Sequence, residues 1–351
     1  MNSSRLRGIL QHPAGLAVFL GLILITEGAT DSKLSSPSDG QQRWNDWIQQ
    51  RRSMAASPAS SKSSGTCPYT LVEYIGASGV TLTPADIATF PSPPTNVQLV
   101  WVIGFVGDAT SSATPSGRFL CTSGSFCSGD NLNQNLVSAL KAVGNKPKVY
   151  AGLGGPSYPQ WPTASTSGYA NDAAQSLIAY AKLNQLDGYD LSFQQVNDDW
   201  VTQWTQIVTL LVAAKIDVNI DPSAASKLSY GKLYSAVAAK VQAVNYLAYM
   251  DISIPSSSAL AASLSEFQIA GGQEIIFGLN ATSTCTSLSR IVDLVCPALR
   301  DCTIAAINPT QEFISGILVM DFDTEFGEGD FSVVAAAYQA FIGQCGNVKT
   351  C

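Results

Sequence analysis

The chain has 351 residues, a formal net charge of −7 and 13% charged residues, and its single histidine is His12. An acidic chain with few charges does not suit a protein that binds by neutralising phosphate backbones, so we expect no nucleic-acid partner. His12 lies in a predicted leader, and its removal would exclude Ser-His-Asp and Cys-His catalysis, histidine-ligated metals and a histidine pH switch.

The beginning of the chain has the layout of a secretory signal peptide. Arg5 and Arg7 precede an apolar run without charges over 14–26, and small residues come after it. The run is too short to span a bilayer comfortably, and an uncleaved signal anchor is the alternative. We predict that residues 1–29 are a signal peptide and that the exported chain has no membrane span after leader removal.

Residues 30–66 differ in composition from the rest of the chain. The segment is rich in Ser, Ala, Gln and Pro, which is typical of a linker or pro-segment. A dibasic pair at Arg51 and Arg52 suggests a pro-peptide removed after Arg52, and the alternative is a flexible, mostly disordered arm. Dibasic pairs are common by chance, which favours the arm.

From Cys67 onward, eight predicted strands are separated mostly by helical stretches. The strands are predicted at 71–77, 96–108, 148–155, 189–194, 215–221, 244–251, 274–280 and 316–323. Helices are predicted at 136–144, 170–184, 201–214, 232–241 and 331–343. This series favours a single-domain α/β fold over 67–351, a (β/α)8 TIM barrel, over an open doubly wound sheet.

A glycine-rich segment, GLGGPS at 152–157, does not have the form of a nucleotide-binding loop. It lacks the lysine of a P-loop, and Pro156 disrupts a GxGxxG pattern. We therefore expect no cofactor.

The cysteine pattern agrees with export. All eight cysteines lie beyond the leader, and in an oxidising compartment an even number predicts up to four disulfides: Cys67, Cys121, Cys127, Cys285, Cys296, Cys302, Cys345 and Cys351. A zinc site is not expected, because no Cys-x2-Cys pair and no further histidine is present. We favour a Cys121–Cys127 pair, since CTSGSFC is a Ser/Gly loop that can fold back on itself, and leave the other pairings open.

The strand at 189–194 carries alternating apolar and polar side chains: Tyr189, Leu191 and Phe193 against Asp190, Ser192 and Gln194. The apolar set should face the helices and the polar set the interior of the barrel. The carboxyl end of a barrel strand is where such enzymes build their active sites. The alternative is a hydrogen-bonded polar plug inside the barrel.

Four segments resemble motifs of family-18 glycoside hydrolases, the chitinases and their relatives. LDGYDLSFQ (186–194) is similar to the DGxDxDxE signature of their fourth strand, and VYAGLGG (149–155) to the SxGG motif of their third strand. YLAYMD (246–251) resembles the Met-x-Tyr-Asp of their sixth strand, and GILVMDFD (316–323) lies where they carry a tryptophan. The motifs come in the family's order, and the resemblance implies its barrel fold.

The resemblance also implies a loss of catalytic residues. Asp187 and Asp190 match the signature, but Ser192 stands for its last aspartate and Gln194 for its glutamate. In that family the glutamate protonates the glycosidic oxygen, while the aspartate two residues before it orients the substrate's acetamido group. An amide has no proton to transfer near neutral pH, so no intact catalytic residue is expected.

The binding features are partly retained. Tyr249 matches the family tyrosine that holds the acetamido group, Leu247 replaces the family methionine, and Met320 replaces the tryptophan that floors the sugar site. The resemblance thus implies a secreted, inactive chitinase-like protein that binds glycans, with N-acetylglucosamine-containing glycans as the candidate ligands. Its predicted ligand-binding residues are Asp190, Gln194, Tyr249, Asp251, Met320 and Asp321.

Two other functions fit the sequence. The first is a hydrolase with a rebuilt carboxylate site composed of Asp190, Asp321, Asp323 and Glu325. Asp321 and Asp323 share one strand face and could instead hold calcium. The second is an extracellular scaffold whose arm contacts a partner. Further carboxylates end the predicted strands at Asp108, Asp221 and Asp251, where solvated or helix-capping roles are the alternative.

Other residues are predicted at the barrel mouth. Tyr158, Trp161 and Phe322 could stack on sugar rings or pack within the protein. Asn280-Ala-Thr282 is a glycosylation sequon at the end of the seventh predicted strand, where a glycan would partly screen the pocket.

Overall fold

The structure is a computed structural model. It describes residues 69–76, 81–90, 92–93, 97–108, 117–122, 126–144, 146–155, 168–194, 196–223, 226–237, 240–247, 274–280 and 316–320. The predicted leader, arm and final helix lie outside these residues, as do six of the cysteines (Cys67, Cys285, Cys296, Cys302, Cys345 and Cys351).

The described chain alternates strands and helices, which confirms the predicted α/β class. Its strands are β1 Tyr69–Ile75, β2 Val97–Asp108, β3 Phe119–Cys121, β4 Cys127–Ser128, β5 Asn131–Leu132, β6 Lys148–Gly154, β7 Gly188–Ser192, β8 Asp217–Ile220, β9 Ala243–Tyr246, β10 Glu274–Asn280 and β11 Gly316–Met320. Its helices are α1 Pro84–Ala88, α2 Gln134–Ala142, α3 Tyr169–Leu183, α4 Asp198–Ala213 and α5 Lys227–Val237. All eight predicted strands coincide with strands of the structure, with ends that differ by a few residues.

The sheet is curled, and its long strands run parallel. Neighbouring strands have the order β1-β11-β10-β9-β8-β7-β6-β2, and β1 also pairs with β2. The short β3 adds antiparallel to the end of β2. The connections after β9, β10 and β11 lie outside the described residues, so the complete (β/α)8 barrel stays a prediction.

Two buried clusters occupy the two sides of this sheet. The larger lies between the sheet and its helices, and it includes Trp101 of β2, Leu177 of α3 and Trp204 of α4. The smaller contains no helical residue and fills the concave side, which we call the sheet interior; Val72, Tyr74, Val102, Phe105, Tyr150, Leu247 and Leu318 belong to it. Burial on both sides explains why these strands read as nearly continuous apolar runs.

The sequence analysis predicted neither α1 nor the excursion between β2 and α2. There β3 and the β4–β5 hairpin interrupt the strand–helix alternation. A disulfide between Cys121 and Cys127 joins β3 to β4, which confirms the one predicted pairing that lies within the described residues.

Gly188 of β7 lies where there is no space for a side chain. A Cβ on Gly188 would lie 2.7 Å from the backbone oxygen of Asp217 and 2.8 Å from the ring of Tyr150. We expect Gly188→Ala to lower the free energy of unfolding by about 1–3 kcal/mol, as overpacking does in well-packed cores. Urea unfolding measures this loss.

Gly129 provides the matched control. It lies in an exposed turn with φ +63°, and a Cβ there would meet nothing within 4 Å. Gly129→Ala should cost only the strain of the left-handed backbone, about 1 kcal/mol. Equal losses for the two variants would contradict the packing of β7 against its neighbours.

Candidate functional site: a buried carboxyl pair in the sheet interior

The polar residues of β7 occupy the sheet interior, as the alternation predicts. Tyr189 and Leu191 belong to the cluster under the helices, and the Tyr189 hydroxyl donates to the carbonyl of Leu177 at 2.7 Å. Asp190, on the opposite face, is completely buried, and Ser192 is 5% exposed. A fully buried carboxyl group is unstable unless it is protonated or receives hydrogen bonds.

Asp190 receives these bonds from residues on three other strands. Asn245 of β9 donates its amide to both carboxyl oxygens, at 3.2 Å to Oδ1 and 3.0 Å to Oδ2. The Tyr74 hydroxyl, from β1, lies 3.2 Å from Asp190 Oδ2 and donates to Oδ2 of Asp221 at 2.5 Å. Asp221 comes directly after β8 and is itself hydrogen-bonded to Asp190. Strand pairing explains the proximity, since Asp190 lies beside Asn219 in the ladder.

The two carboxyl groups share one proton, which we assign to Asp221. Burial raises the pKa of Asp190, but hydrogen bonds from Asp221, Tyr74 and Asn245 lower it again. Burial and the neighbouring Asp190 together raise the pKa of Asp221 well above its ordinary value. Within the described residues Asp221 Oδ1 has no hydrogen-bond partner, which a neutral acid tolerates better than a carboxylate does. The directions of these shifts favour Asp190 as the anion and Asp221 as its protonated partner.

The glycines of the third-strand motif make room for this pair. A Cβ on Gly152 would lie 3.0 Å from the ring of Phe105 and 3.4 Å from the ring of Tyr74, whose centroids are 5.9 Å apart. Gly155 has φ +69°, donates its N–H to the carbonyl of Ser192 at 3.0 Å, and would meet Phe105 at 2.6 Å if it carried a Cβ. The glycines thus let two aromatic rings approach the backbone of β6 and the turn after it.

The carboxyl end of β7 is held by α5 and α4. The Tyr230 hydroxyl donates to the carbonyl of Leu191 at 2.6 Å and accepts the N–H of Phe193 at 2.8 Å. The Phe193 ring packs on Trp200 and Trp204, with centroids 6.0 Å and 5.4 Å away. These contacts fix the direction in which the chain leaves the strand toward Gln194.

Gln194 is half-buried and lies two residues beyond the end of β7. In the described part of the chain its side chain makes no hydrogen bond, and neither does the hydroxyl of Ser192. The two residues therefore offer an amide and a hydroxyl, which donate and accept hydrogen bonds but carry no charge.

Asp187, the first aspartate of the signature, lies at the opposite end of β7. Its carboxylate accepts the N–H of Val149 at 2.9 Å and pairs with Lys141 at 3.2 Å. Beside it, Asp217 accepts from Lys148 at 2.7 Å and from the Tyr150 hydroxyl at 2.9 Å. Asp187 thus joins neighbouring strands at their amino-terminal ends and does not lie with the carboxyl pair.

The predicted strand-end carboxylate Asp108 also has local partners. It is buried and accepts the N–H of Gly117 at 3.0 Å and the Tyr169 hydroxyl at 3.1 Å. It therefore ties the chain after β2 to the start of α3. Burial, together with this contact with Asp108, raises the pKa of Tyr169.

Many predicted site residues lie outside the described residues: Tyr158, Trp161, Tyr249, Asp251, Asp321, Phe322, Asp323 and Glu325. Asn280 and Met320 end β10 and β11, and predictions about their side chains stay predictions. Sequence reasoning did not place Tyr74 or Asn245 in the site. The sequence feature that could have identified them is a polar side chain at an inward-facing position of a strand. Recognising such a position requires the register of the strands.

Within the described ranges, no group of three or more His, Cys, Asp or Glu side chains is arranged to hold a metal ion. The same ranges contain no helix long and apolar enough to cross a membrane.

The carboxyl ends of parallel barrel strands are where proteins of this architecture build their sites. No protein-family profile matches the chain, and no curated protein matches its sequence. Solved structures do match. A family 18 chitinase from Crocus vernus superposes with a TM-score of 0.57 at 19% identity, covering 78% of this chain and 99% of that one.

Two further structures give the same result. The catalytic domain of a family GH18 chitinase from the fern Peteris ryukyuensis has a TM-score of 0.56 at 23% identity, covering 77% of this chain and 98% of that one. A family GH18 chitinase from Chromobacterium violaceum has a TM-score of 0.57 at 14% identity, covering 82% of this chain and 88% of that one. The chain therefore has the fold of the family-18 chitinases, as its sequence motifs predict.

The proton assignment predicts a difference between Asp221→Asn and Asp190→Asn. An amide NH2 in place of Asp221 Oδ2 can still donate to Asp190, and the Tyr74 hydroxyl, which can no longer donate there, can turn its hydrogen to Asp190 Oδ2, 3.2 Å away. This variant therefore mimics the neutral acid. An amide NH2 at Asp190 would face the Asn245 amide or the Asp221 hydroxyl and leave that donor unsatisfied, at about 1–3 kcal/mol. Urea unfolding at pH 7 should find Asp190→Asn the less stable variant. The reverse order would place the proton on Asp190.

The pH dependence of these variants has a defined sign. Because the folded pKa of Asp221 is raised, its contribution to stability is full below the ordinary value of 3.8 and is lost as the pH rises through the folded pKa. Asp221→Asn cannot ionise, so its stability relative to wild type should increase with pH above about 4. If the difference in stability between Asp221→Asn and wild type stays constant from pH 3 to 8, the pKa of Asp221 is not raised in the folded protein.

Proposed function

We propose that the chain is a secreted chitinase-like protein that binds glycans containing N-acetylglucosamine and does not hydrolyse them. Support comes from the shared fold and from the order of the four sequence motifs. The complete barrel, the export of the chain and the binding of glycans are parts of this proposal.

The observation that carries the proposal is the chemistry at the carboxyl end of β7. The resemblance places a general acid at Gln194 and its supporting carboxylate at Ser192, and neither residue can transfer a proton or carry a negative charge near neutral pH. Loss of general-acid assistance alone costs about 10²–10⁴ in rate. Without a carboxylate at Ser192, the positive charge that develops on the sugar is also left without its partner.

The pair of Asp190 and Asp221 is unsuited to replace these groups. Glycosidase carboxyl groups stand about 5–9.5 Å apart so that a sugar or a water fits between them. Here the two are joined by a hydrogen bond and are both buried, with Asp221 only 1% exposed. We infer that the pair maintains the shape and charge of the interior and takes no part in chemistry.

A binding site needs less than a catalytic site does. Gln194 offers an amide donor and acceptor to sugar hydroxyl and acetamido groups. We propose that Tyr249, Asp251, Met320 and Asp321 complete this site at the barrel mouth. Methionine in place of tryptophan weakens sugar stacking, so we expect modest affinity.

Export is proposed from the predicted signal peptide over 1–29. The Cys121–Cys127 disulfide is consistent with it, because such bonds persist in oxidising compartments.

We expect no turnover of chromogenic N-acetylglucosamine oligomers by the wild-type chain, together with saturable binding of chitotetraose in calorimetry. Gln194→Ala should weaken this binding by about tenfold, as the loss of one or two hydrogen bonds does. Robust turnover that Gln194→Ala abolishes would refute the proposal.

A matched control is Gln206→Ala, which alters an exposed glutamine in the middle of α4. It should leave chitotetraose affinity unchanged. If Gln194→Ala binds chitotetraose as wild type does, the sugar site does not include Gln194. If wild type shows no binding, the proposed glycan binding is wrong.

A further inference from the structure

A second concave site lies away from the sheet interior, on the helical side of the molecule. It is a pocket of about 400 Å³ where the β4–β5 hairpin, the start of α2 and the end of α3 meet. Asn184 caps the end of α3, forms part of the wall and lies four positions before Gly188, the first residue of β7. The pocket is therefore next to the amino-terminal ends of the strands, opposite the proposed glycan site.

The walls of this pocket are held in place by the buried side chain of Asn184. Its Oδ1 accepts the N–H of Leu132 at 2.8 Å and the amide of Gln134 at 3.3 Å, while its Nδ2 donates to the carbonyl of Tyr180 at 3.0 Å. These bonds join the hairpin and both helices. The disulfide from Cys127 to β3 adds a covalent restraint on the hairpin. The pocket is thus preorganised.

The lining of the pocket is rich in amides and has no charged side chain. It consists of five amide side chains, one hydroxyl and two leucines: Asn131, Asn133, Gln134, Asn135, Asn184, Ser128, Leu132 and Leu183. Each amide both donates and accepts, as a sugar hydroxyl does, and a lining without charges gives no preference to an ionic ligand. Leu183, 63% exposed, offers an apolar surface to the C–H face of a sugar ring.

Part of this hydrogen-bonding capacity is available to a ligand. Asn135 and Ser128 are exposed, and in the described part of the chain their side chains make no hydrogen bond. The side chain of Asn133, in contrast, accepts the N–H of Asn135 at 3.1 Å and caps α2. Asn133 and Asn184 therefore build the pocket, whereas Asn135 and Ser128 face its opening.

We propose that this pocket is a second binding site, for a neutral, hydroxyl-rich ligand of the carbohydrate class. It is separate from the glycan site at the barrel mouth and does not depend on it. The open shape and the lack of an aromatic platform predict weak binding, with a dissociation constant on the order of 1 mM.

The test uses the full mature chain labelled with ¹⁵N and monitors its side-chain amide signals by NMR. Chitotetraose, cellotetraose and maltotetraose are titrated separately. At least one should move the signals of Asn131, Asn133 and Asn135 along a saturating curve. The double variant Ser128→Ala with Asn135→Ala should weaken that curve by about tenfold, as the loss of two hydrogen bonds does.

Asn171→Ala is the matched control, because Asn171 is an exposed asparagine in the first turn of α3 and lies outside the pocket. It should bind as wild type does. Movement of the Gln194 signal alone would support the barrel-mouth site and overturn the second one. Failure of all three sugars to move the pocket signals, or equal weakening by the control, would also overturn it.

Discussion

The fold depends on keeping one negative charge buried in the sheet interior. Asp190 is fully buried, and its carboxylate is stabilised by hydrogen bonds from Asn245 of β9 and from Asp221 after β8, while the Tyr74 hydroxyl of β1 donates to Asp221. Each of these strands must pair in one register for the bonds to form. The hydrogen bonds of the carboxyl pair therefore form only when the strands that carry these residues are paired and curved as they are in this sheet.

The same network explains the glycines and aromatic rings around it. Gly152 and Gly155 leave space for the rings of Phe105 and Tyr74, which belong to the cluster in the sheet interior. The two carboxyl groups are buried and offer no space for a sugar between them. At the carboxyl end of β7, the described chain places the hydroxyl of Ser192 and the amide of Gln194, which donate and accept hydrogen bonds.

The strands could be predicted from the sequence because a parallel sheet buried on both sides produces long apolar runs, as at 96–108. The inward position of Asp190 could be predicted from the two-residue period of a strand. Its partners could not, since Tyr74 and Asn245 are 116 and 55 residues away and meet it only through strand register. The β4–β5 hairpin was missed because its two-residue strands are too short to show a period.

The central claim is that Gln194 lies against the glycosidic bond of a bound glycan and leaves it intact. A crystal structure of the chain soaked with chitotetraose tests this claim most directly. We predict an uncleaved sugar at the barrel mouth with the Gln194 amide within hydrogen-bond distance of a sugar oxygen. Cleaved sugar, or an intact sugar bound elsewhere with the mouth empty, would contradict it.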